Sequence, residues 1–186
     1  PLSVLMLAKI RDILIITNKK DIESFSNLFG NGKDLGIKIS YSEQKKANGL
    51  PEAFIIGEKF IKNKNVALIL GDNFFYGQGF TERLKQNKAL SSGAKIFLYK
   101  VKNPEDYGTA LIKNNKIIKI QEKPKKPKSS LAITGLYFFD KNVIKYSKTL
   151  KPSKRNEIEI VDLLNIYKKK NKLSFDLMGR GRAWLD

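Results

Sequence analysis

Apolar positions run along the first hundred residues in two alternating rhythms, helical spacing and short unbroken blocks. Leu2, Leu5, Met6 and Ile10 fit one face of a helix, and "DILIIT" at 12–17 reads as a fully buried strand. A helix is predicted over 21–29, with Asp21 as its N-cap and the glycines at 30 and 32 ending it. "IKISYS" (37–42) alternates as a strand. Residues 49–62 repeat Phe54, Ile55, Gly57 and Ile61 as an amphipathic helix. "VALIL" (66–70) lacks alternation, as expected of a parallel strand covered on both faces. A helix over 81–90 and the strand "AKIFLYKV" (94–101) complete an α/β alternation, the signature of an open sheet flanked by helices.

After Val101 the rhythm changes. "TALIK", "KIIKIQEK" and "ITGLYFF" are strands, separated by an Asn-Asn turn and the loop "PKKPK". The segment 157–170 reads as a long amphipathic helix and "KLSFDLM" (172–178) as a last strand. Neither an internal repeat nor an interdomain linker interrupts the pattern. Residues 1–186 are therefore expected to form a single domain. The chain opens at Pro1 directly on helical spacing and closes on "GRAWLD" after a strand-like run, the reading expected of an internal piece of a longer protein.

Composition narrows the chemistry. The chain has neither cysteine nor histidine, which excludes disulfides, Cys/His zinc sites and Cys–His or Ser–His nucleophile chemistry. A metal would have to be held by oxygen ligands, which suits magnesium or calcium. No apolar run approaches the roughly 20 residues that span a bilayer, and no signal-peptide pattern is present. No membrane partner is expected, and a cytoplasmic location fits. The net charge of +18 by itself points to a polyanion-binding domain. The excess, however, is lysine dispersed over every segment, with arginine only at positions 11, 83, 155, 180 and 182. Base-edge and phosphate clamps favour arginine's rigid fork, so no nucleic-acid partner is expected.

Candidate site residues gather where strands end. In open α/β sheets ligands sit at the carboxyl ends of the strands. Asp72 stands at that end of "VALIL", where it would either hold a hard cation or simply cap its own loop. Gln44 follows "IKISYS" and offers the paired donor and acceptor that a nucleobase edge needs, with Gly49 able to let backbone approach a flat ring. "IQEKP" ends a strand with Glu122, an acceptor for hydroxyls, and Lys123, a point charge for phosphate. Gly135 lies inside a strand, which weakens it unless something approaches closely. Arg155 precedes a helix N-terminus, and Asp186 repeats the placement of Asp72.

Taken in order, "GLPEAFIIGEKFI", "LGDNFFYG", "YGTALI", "EKP", "ITGLYFFD", "LKPSKRNEIEIVD" and "MGRGRAWLD" resemble the glucose-1-phosphate thymidylyltransferases among the sugar nucleotidyltransferases. The resemblance covers essentially the whole chain. It implies a Rossmann-like nucleotide-diphospho-sugar transferase fold: a mixed, mostly parallel central sheet flanked by helices, incomplete at both ends. It implies dTTP and glucose 1-phosphate as substrates, Mg2+ as cofactor and a homotetramer as the assembly. Residue by residue, Gln44 would pair with thymine, with Gly49 and Leu50 beside the base. Asp72 and Asp186 would bind magnesium. Tyr107 and Gly108 would line the sugar pocket, Glu122 would take sugar hydroxyls, and Gly135 and Tyr137 would close over the hexose. Lys123 and Arg155 would grip the sugar phosphate, and Trp184 would wall the site. A transferase for another hexose 1-phosphate or for a uridylyl group, and the basic polyanion-binding domain, are the alternatives.

The departures from the family pattern carry expectations too. The glycine-rich triphosphate loop "GGxGTRL", the "KxLLP" lysine and the "TGT" segment are absent, so this stretch alone is expected to be inactive. The family's first strand lies between the counterparts of 12–17 and 66–70. Those two strands would then face a gap or pair directly. Asn156 stands where a glycine is usual, and Lys45-Lys46-Ala47 where prolines are usual.

Overall fold

The computed structural model describes residues 1–88 and 90–186, the side chain of Lys88 excepted. The chain runs α1 (Leu2–Leu7), β1 (Asp12–Thr17), α2 (Lys19–Phe29), β2 (Lys38–Glu43), α3 (Glu52–Ile56), α4 (Glu58–Ile61), β3 (Val66–Ile69) and β4 (Phe74–Gly77). It continues through α5 (Phe80–Lys88), β5 (Ala94–Lys100), β6 (Thr109–Lys113), β7 (Lys116–Gln121), β8 (Leu131–Phe139), α6 (Val143–Ser147), α7 (Ile160–Lys169), β9 (Leu173–Met178) and β10 (Arg182–Leu185).

The spine is β8, whose residues from Ala132 to Phe139 are all buried. Its length lets it serve three neighbours. One edge carries β5 along its whole run, and the other carries β6 at Ala132 and β3 from Leu136 to Phe139. With β7 outside β6 and β9 outside β5, these strands make a six-stranded sheet. The main core packs Phe54, Phe139, Leu163, Leu164 and Tyr167 on one face, and a second cluster packs Phe80, Leu84, Phe97 and Trp184 on the other.

The sheet is mixed, as expected, but not mostly parallel. Among the described residues β1–β2 and β5–β9 pair in parallel, and the other pairs are antiparallel. "VALIL" is thus an antiparallel neighbour of β8, and all four residues of β3 are only half-buried. In β1, read as fully buried, only Ile13 is buried. The low burial of β1 and of β3 has one cause. β1 and β3 do not pair, and a groove of about 1120 Å³ lies between them, lined by Ile13, Leu14, Ile16, Val66, Leu68 and Phe139 among others.

Helix boundaries also moved, for local reasons. α2 begins two residues early because Asn18, not Asp21, is the cap: its Oδ1 accepts from Asp21 N at 3.0 Å. The predicted helix 49–62 is divided at Gly57 into α3 and α4. α7 starts at Ile160 rather than 157 because Ile158 N donates to Asn48 O at 2.7 Å, holding the lead-in extended. α5 starts at Phe80, and position 89 of the predicted helix 81–90 lies outside the described residues.

Asp140 closes β8 and ties it to α7. Its carboxylate accepts from Gly93 N at 2.7 Å, Tyr167 Oη at 2.9 Å, and Asn142 N and Nδ2 at 3.0 Å each. Burial pushes the carboxyl up, but these donors outweigh it and hold Asp140 below its ordinary value. Asp140→Ala should cost about 3 kcal/mol in a urea melt, because it strands the buried donors of Gly93 and Tyr167. With the folded value lowered, the carboxylate's contribution is complete above about pH 5 and is lost as pH falls through that value. Asp140→Asn should flatten this acid limb of stability.

Candidate active site

The loop after β3 places Asp72 and Asn73 beside the end of β10, because β4 and β10 pair antiparallel with Leu185 opposite Phe74 and Trp184 opposite Phe75. The hairpin-like pair was not foreseen for 74–77. It forms because Phe75 and Trp184 point inward while Phe74, Tyr76 and Leu185 face outward, the alternation of a half-buried ribbon.

Asn73 is fully buried, and its carboxamide organises this corner. Oδ1 accepts from Gly135 N at 2.8 Å and from Trp184 Nε1 at 2.6 Å. Nδ2 donates to Asp72 Oδ1 at 2.9 Å and to Asp186 Oδ1. The two exposed acids therefore converge on one nitrogen. Asp72 accepts from this side chain rather than from a backbone N–H of its own loop.

Gly135 owes its place in β8 to the same amide. A Cβ there would lie 2.3 Å from Asn73 Oδ1 and 2.8 Å from the Leu70 side chain. Its carbonyl accepts from Leu70 N, and the pairing of β5 with β8 shifts register at this point. Trp184 is buried, edge-on to Tyr107 and Tyr99, so it backs the corner from beneath.

A second group lies at the end of β7. Glu122 is half-buried, and its Oε2 would sit 3.3 Å from a Cβ on Gly108. Arg155 Nη1 lies 3.6 Å from Glu122 and 3.7 Å from Glu159, and its Nη2 lies 3.9 Å from Glu157. Burial first, then the Glu159 charge, raises the Glu122 carboxyl above its ordinary value, against the pull of Arg155 and Lys123. Lys123 is exposed, at φ 33°, with its N–H donating to Tyr107 O. Tyr137 is buried between the two groups. Burial, then the charges of Glu122 and Asp186, push its hydroxyl far above the ordinary value.

The third group is the loop 44–52 after β2. Gln44 Nε2 and Asn48 Nδ2 donate to the two oxygens of Glu52 at 2.6 and 2.8 Å. Gly49, at φ +108°, packs so closely on Ile158 that a Cβ would lie 2.1 Å from its carbonyl oxygen. Leu50 packs on the main core. Since Ile158 separates Glu157 from Glu159, this contact sets the loop against the Arg155 cluster.

All the sequence-predicted site residues thus lie on one connected path. Asn73, Glu52 and Glu159 were not foreseen. The signal for Asn73 was available: an amide between the strand-tip acid and two aromatics in "GDNFF". Among the described residues no cluster of three or more Asp, Glu, His or Cys side chains could hold a metal. The Asp72–Asp186 pair nevertheless fits magnesium, which takes one or two carboxylates and completes its shell with water and substrate phosphates. Their convergence on the Asn73 nitrogen is the observation behind that fit.

The family model for nucleotidyl transferases matches residues 1–186. The chain belongs to the nucleotidyl transferase family. Relatives within it include a Neisseria meningitidis protein named glucose-1-phosphate thymidylyltransferase, 54% identical over all of this chain and 65% of its own length. A Mycobacterium tuberculosis protein of the same name is 44% identical over the same shares. The chain therefore spans just under two thirds of the curated relatives it matches. A Bacillus anthracis crystal structure, assigned to glucose-1-phosphate thymidylyltransferase and solved with sucrose, superposes with a TM-score of 0.90. It is 39% identical, and the match covers 100% of this chain and 74% of that one. UDP-glucose pyrophosphorylase complexed with UDP-glucose superposes with a TM-score of 0.79 at 25% identity, over 97% of this chain and 78% of that one. These two nucleotidyl transferase structures confirm the mixed α/β fold expected from the sequence.

Two outcomes follow from the geometry. Asn73→Ala should cost about 3 kcal/mol by leaving Gly135 N and Trp184 Nε1 without acceptors. Emission from Trp184, the only tryptophan in the chain, should shift to the red as water reaches it. At position 156, φ is +59° and the residue is exposed, which accounts for an asparagine where glycine is usual. Asn156→Val should destabilise by about 1–2 kcal/mol in chemical denaturation, while Asn156→Gly stays close to the parent.

Proposed function

We propose that the protein catalyses nucleotidyl transfer from dTTP to glucose 1-phosphate, giving dTDP-glucose and pyrophosphate. The observation that carries this reading is the convergence of two strand-tip carboxylates, Asp72 and Asp186, on the Asn73 amide, with Asp186 and the Arg155 partner Glu122 both acting on the buried Tyr137 hydroxyl. The names of the relatives supply the substrate pair.

The chemistry needs no side-chain nucleophile, in keeping with a chain that has neither cysteine nor histidine. A phosphate oxygen of the sugar phosphate attacks the α-phosphorus of dTTP in line. The bond from that phosphorus to the bridging oxygen breaks, and pyrophosphate leaves with the electron pair. Asp72 and Asp186 would hold magnesium, which supplies charge neutralisation at the phosphates when bound. Lys123 and Arg155 grip the sugar phosphate from two sides and fix the attacking oxygen, so catalysis is largely positioning and charge stabilisation.

Glu122 accepts from sugar hydroxyls, Gly108 keeps that carboxylate uncrowded, and Gly135 acts from behind by admitting the Asn73 amide. Tyr107 and Tyr137 flank that pocket, and Trp184 supports it from beneath. Gln44 pairs with the base, and Gly49 and Leu50 bound it. A uridylyl donor is the second reading, favoured by the likeness to UDP-glucose pyrophosphorylase.

Asp72→Asn in the full-length protein should abolish magnesium-dependent pyrophosphate release while leaving the melting temperature unchanged, because the residue is exposed. Near-normal turnover would reduce Asp72 to a loop residue. Lys123→Ala and Arg155→Ala should each raise the KM for glucose 1-phosphate more than that for dTTP. Charge-assisted contacts worth about 1.5–3 kcal/mol make the expected change tenfold or greater. Equal effects on both substrates would count against the assignment.

A further inference from the structure

The loop 44–52 contains a hydrogen-bonding constraint that the catalytic scheme does not use. Glu52, at the start of α3, receives one amide on each carboxylate oxygen: Gln44 Nε2 at 2.6 Å on Oε2 and Asn48 Nδ2 at 2.8 Å on Oε1. An ionised carboxylate can only accept, so both amides must turn their NH2 groups toward it. The main chain at both residues is braced as well. Gln44 N donates to Thr17 O at 2.8 Å, and Asn48 O accepts from Ile158 N at 2.7 Å. The carboxamide of Gln44 therefore has one orientation. Its Oε1 is turned away from Glu52, beside the second hydrogen of Nε2.

That orientation has a consequence for a pyrimidine held in fixed register by its sugar and phosphates. Thymine and uracil present N3–H as a donor next to carbonyl acceptors. Cytosine presents N3 as an acceptor next to an amino group. An amide locked with its oxygen toward N3 matches the first pattern and opposes the second. A freely rotating amide would flip to serve either.

We propose that Glu52 is a specificity-determining residue: by locking the Gln44 carboxamide it selects bases carrying N3–H, thymine and uracil, against cytosine. This rests on the reading of Gln44 as the base contact, and Glu52 itself is a positioning residue that acts through it.

The test is steady-state kinetics of the full-length protein with dTTP, dUTP and dCTP, each with glucose 1-phosphate. In Glu52→Gln one of the two acceptor oxygens becomes an NH2 group, which faces Gln44 or Asn48 donor to donor, so the lock is lost. The kcat/KM ratio of dTTP to dCTP should fall about tenfold or more, the scale of one misplaced hydrogen bond. The ratio of dTTP to dUTP, which reads only the methyl group, should not move. Glu52→Ala, which frees both amides, should behave alike and serves if the first variant does not fold. An equal fall for all three nucleotides would overturn the proposal and make Glu52 only a brace for the loop. Gln44→Ala separates the two levels. If it collapses the dTTP to dCTP ratio while Glu52→Gln and Glu52→Ala preserve it, the base contact stands and the lock falls. If Gln44→Ala preserves the ratio, the base contact itself fails and the lock with it.

Discussion

One buried carboxamide, that of Asn73, fixes the corner on which the proposed chemistry depends. It makes both kinds of hydrogen bond that an amide can make, accepting from Gly135 and Trp184 and donating to Asp72 and Asp186. Those partners come from the middle of β8, from β10 and from the loop after β3, so this side chain sets the relative positions of three elements. The demand reaches back into the sequence. Only a glycine at 135 leaves room for the amide, and only an indole N–H at 184 both fills the apolar space and donates. The same amide also offers a donor to each of two carboxylates that would otherwise repel one another across the corner.

The Arg155 cluster is built on the opposite principle. The guanidinium faces three carboxylates at 3.6 to 3.9 Å, all beyond hydrogen-bond length, and its side chain remains 46% exposed. The field of Glu122, Glu157 and Glu159 holds the charge in place without engaging its donors in a rigid fork. A half-exposed group held by Coulombic attraction alone is only weakly committed. The fork geometry that the acids leave unused stays open to a better-aligned anion. The raised carboxyl of Glu122 follows from the same crowding, since burial and Glu159 both oppose its charge.

What the sequence made legible follows the range of the interactions. Strand runs such as "AKIFLYK" and "TALIK" were read correctly because side-chain periodicity is local. The placement of acids at strand tips was legible because turn residues mark where strands end, as with Asp72 in "ILGDN". Long-range pairing was not. Nothing local in "VALIL" reveals that its neighbour is antiparallel β8, and "FFYG" could be placed as a strand only by knowing that "RAWL" comes to lie beside it. The late start of α7 has the same origin, a hydrogen bond from Ile158 to a loop 110 positions earlier. Asn73 was overlooked because an amide next to an acid reads as turn chemistry until its four partners are known.

The groove between β1 and β3 makes the molecule mechanically uneven. β1 and β2 pair only with each other among the described residues, and they meet the larger sheet through side-chain packing, without shared backbone hydrogen bonds. α2, which packs on β2, buries none of its residues. Cooperative opening free energies within one protein range from near zero up to the global value, according to how much backbone bonding and apolar contact each region shares with the rest. By that criterion the β1–α2–β2 layer should exchange its amides as a separate, lower-energy foldon, with the β5–β8–β9 core opening last. Gln44 follows β2 in that layer, whereas Gly135 and Tyr137 lie within β8 itself. The loop that begins at Gln44 thus rides on the softer layer, while Gly135 and Tyr137 are anchored in the stiffest part of the fold.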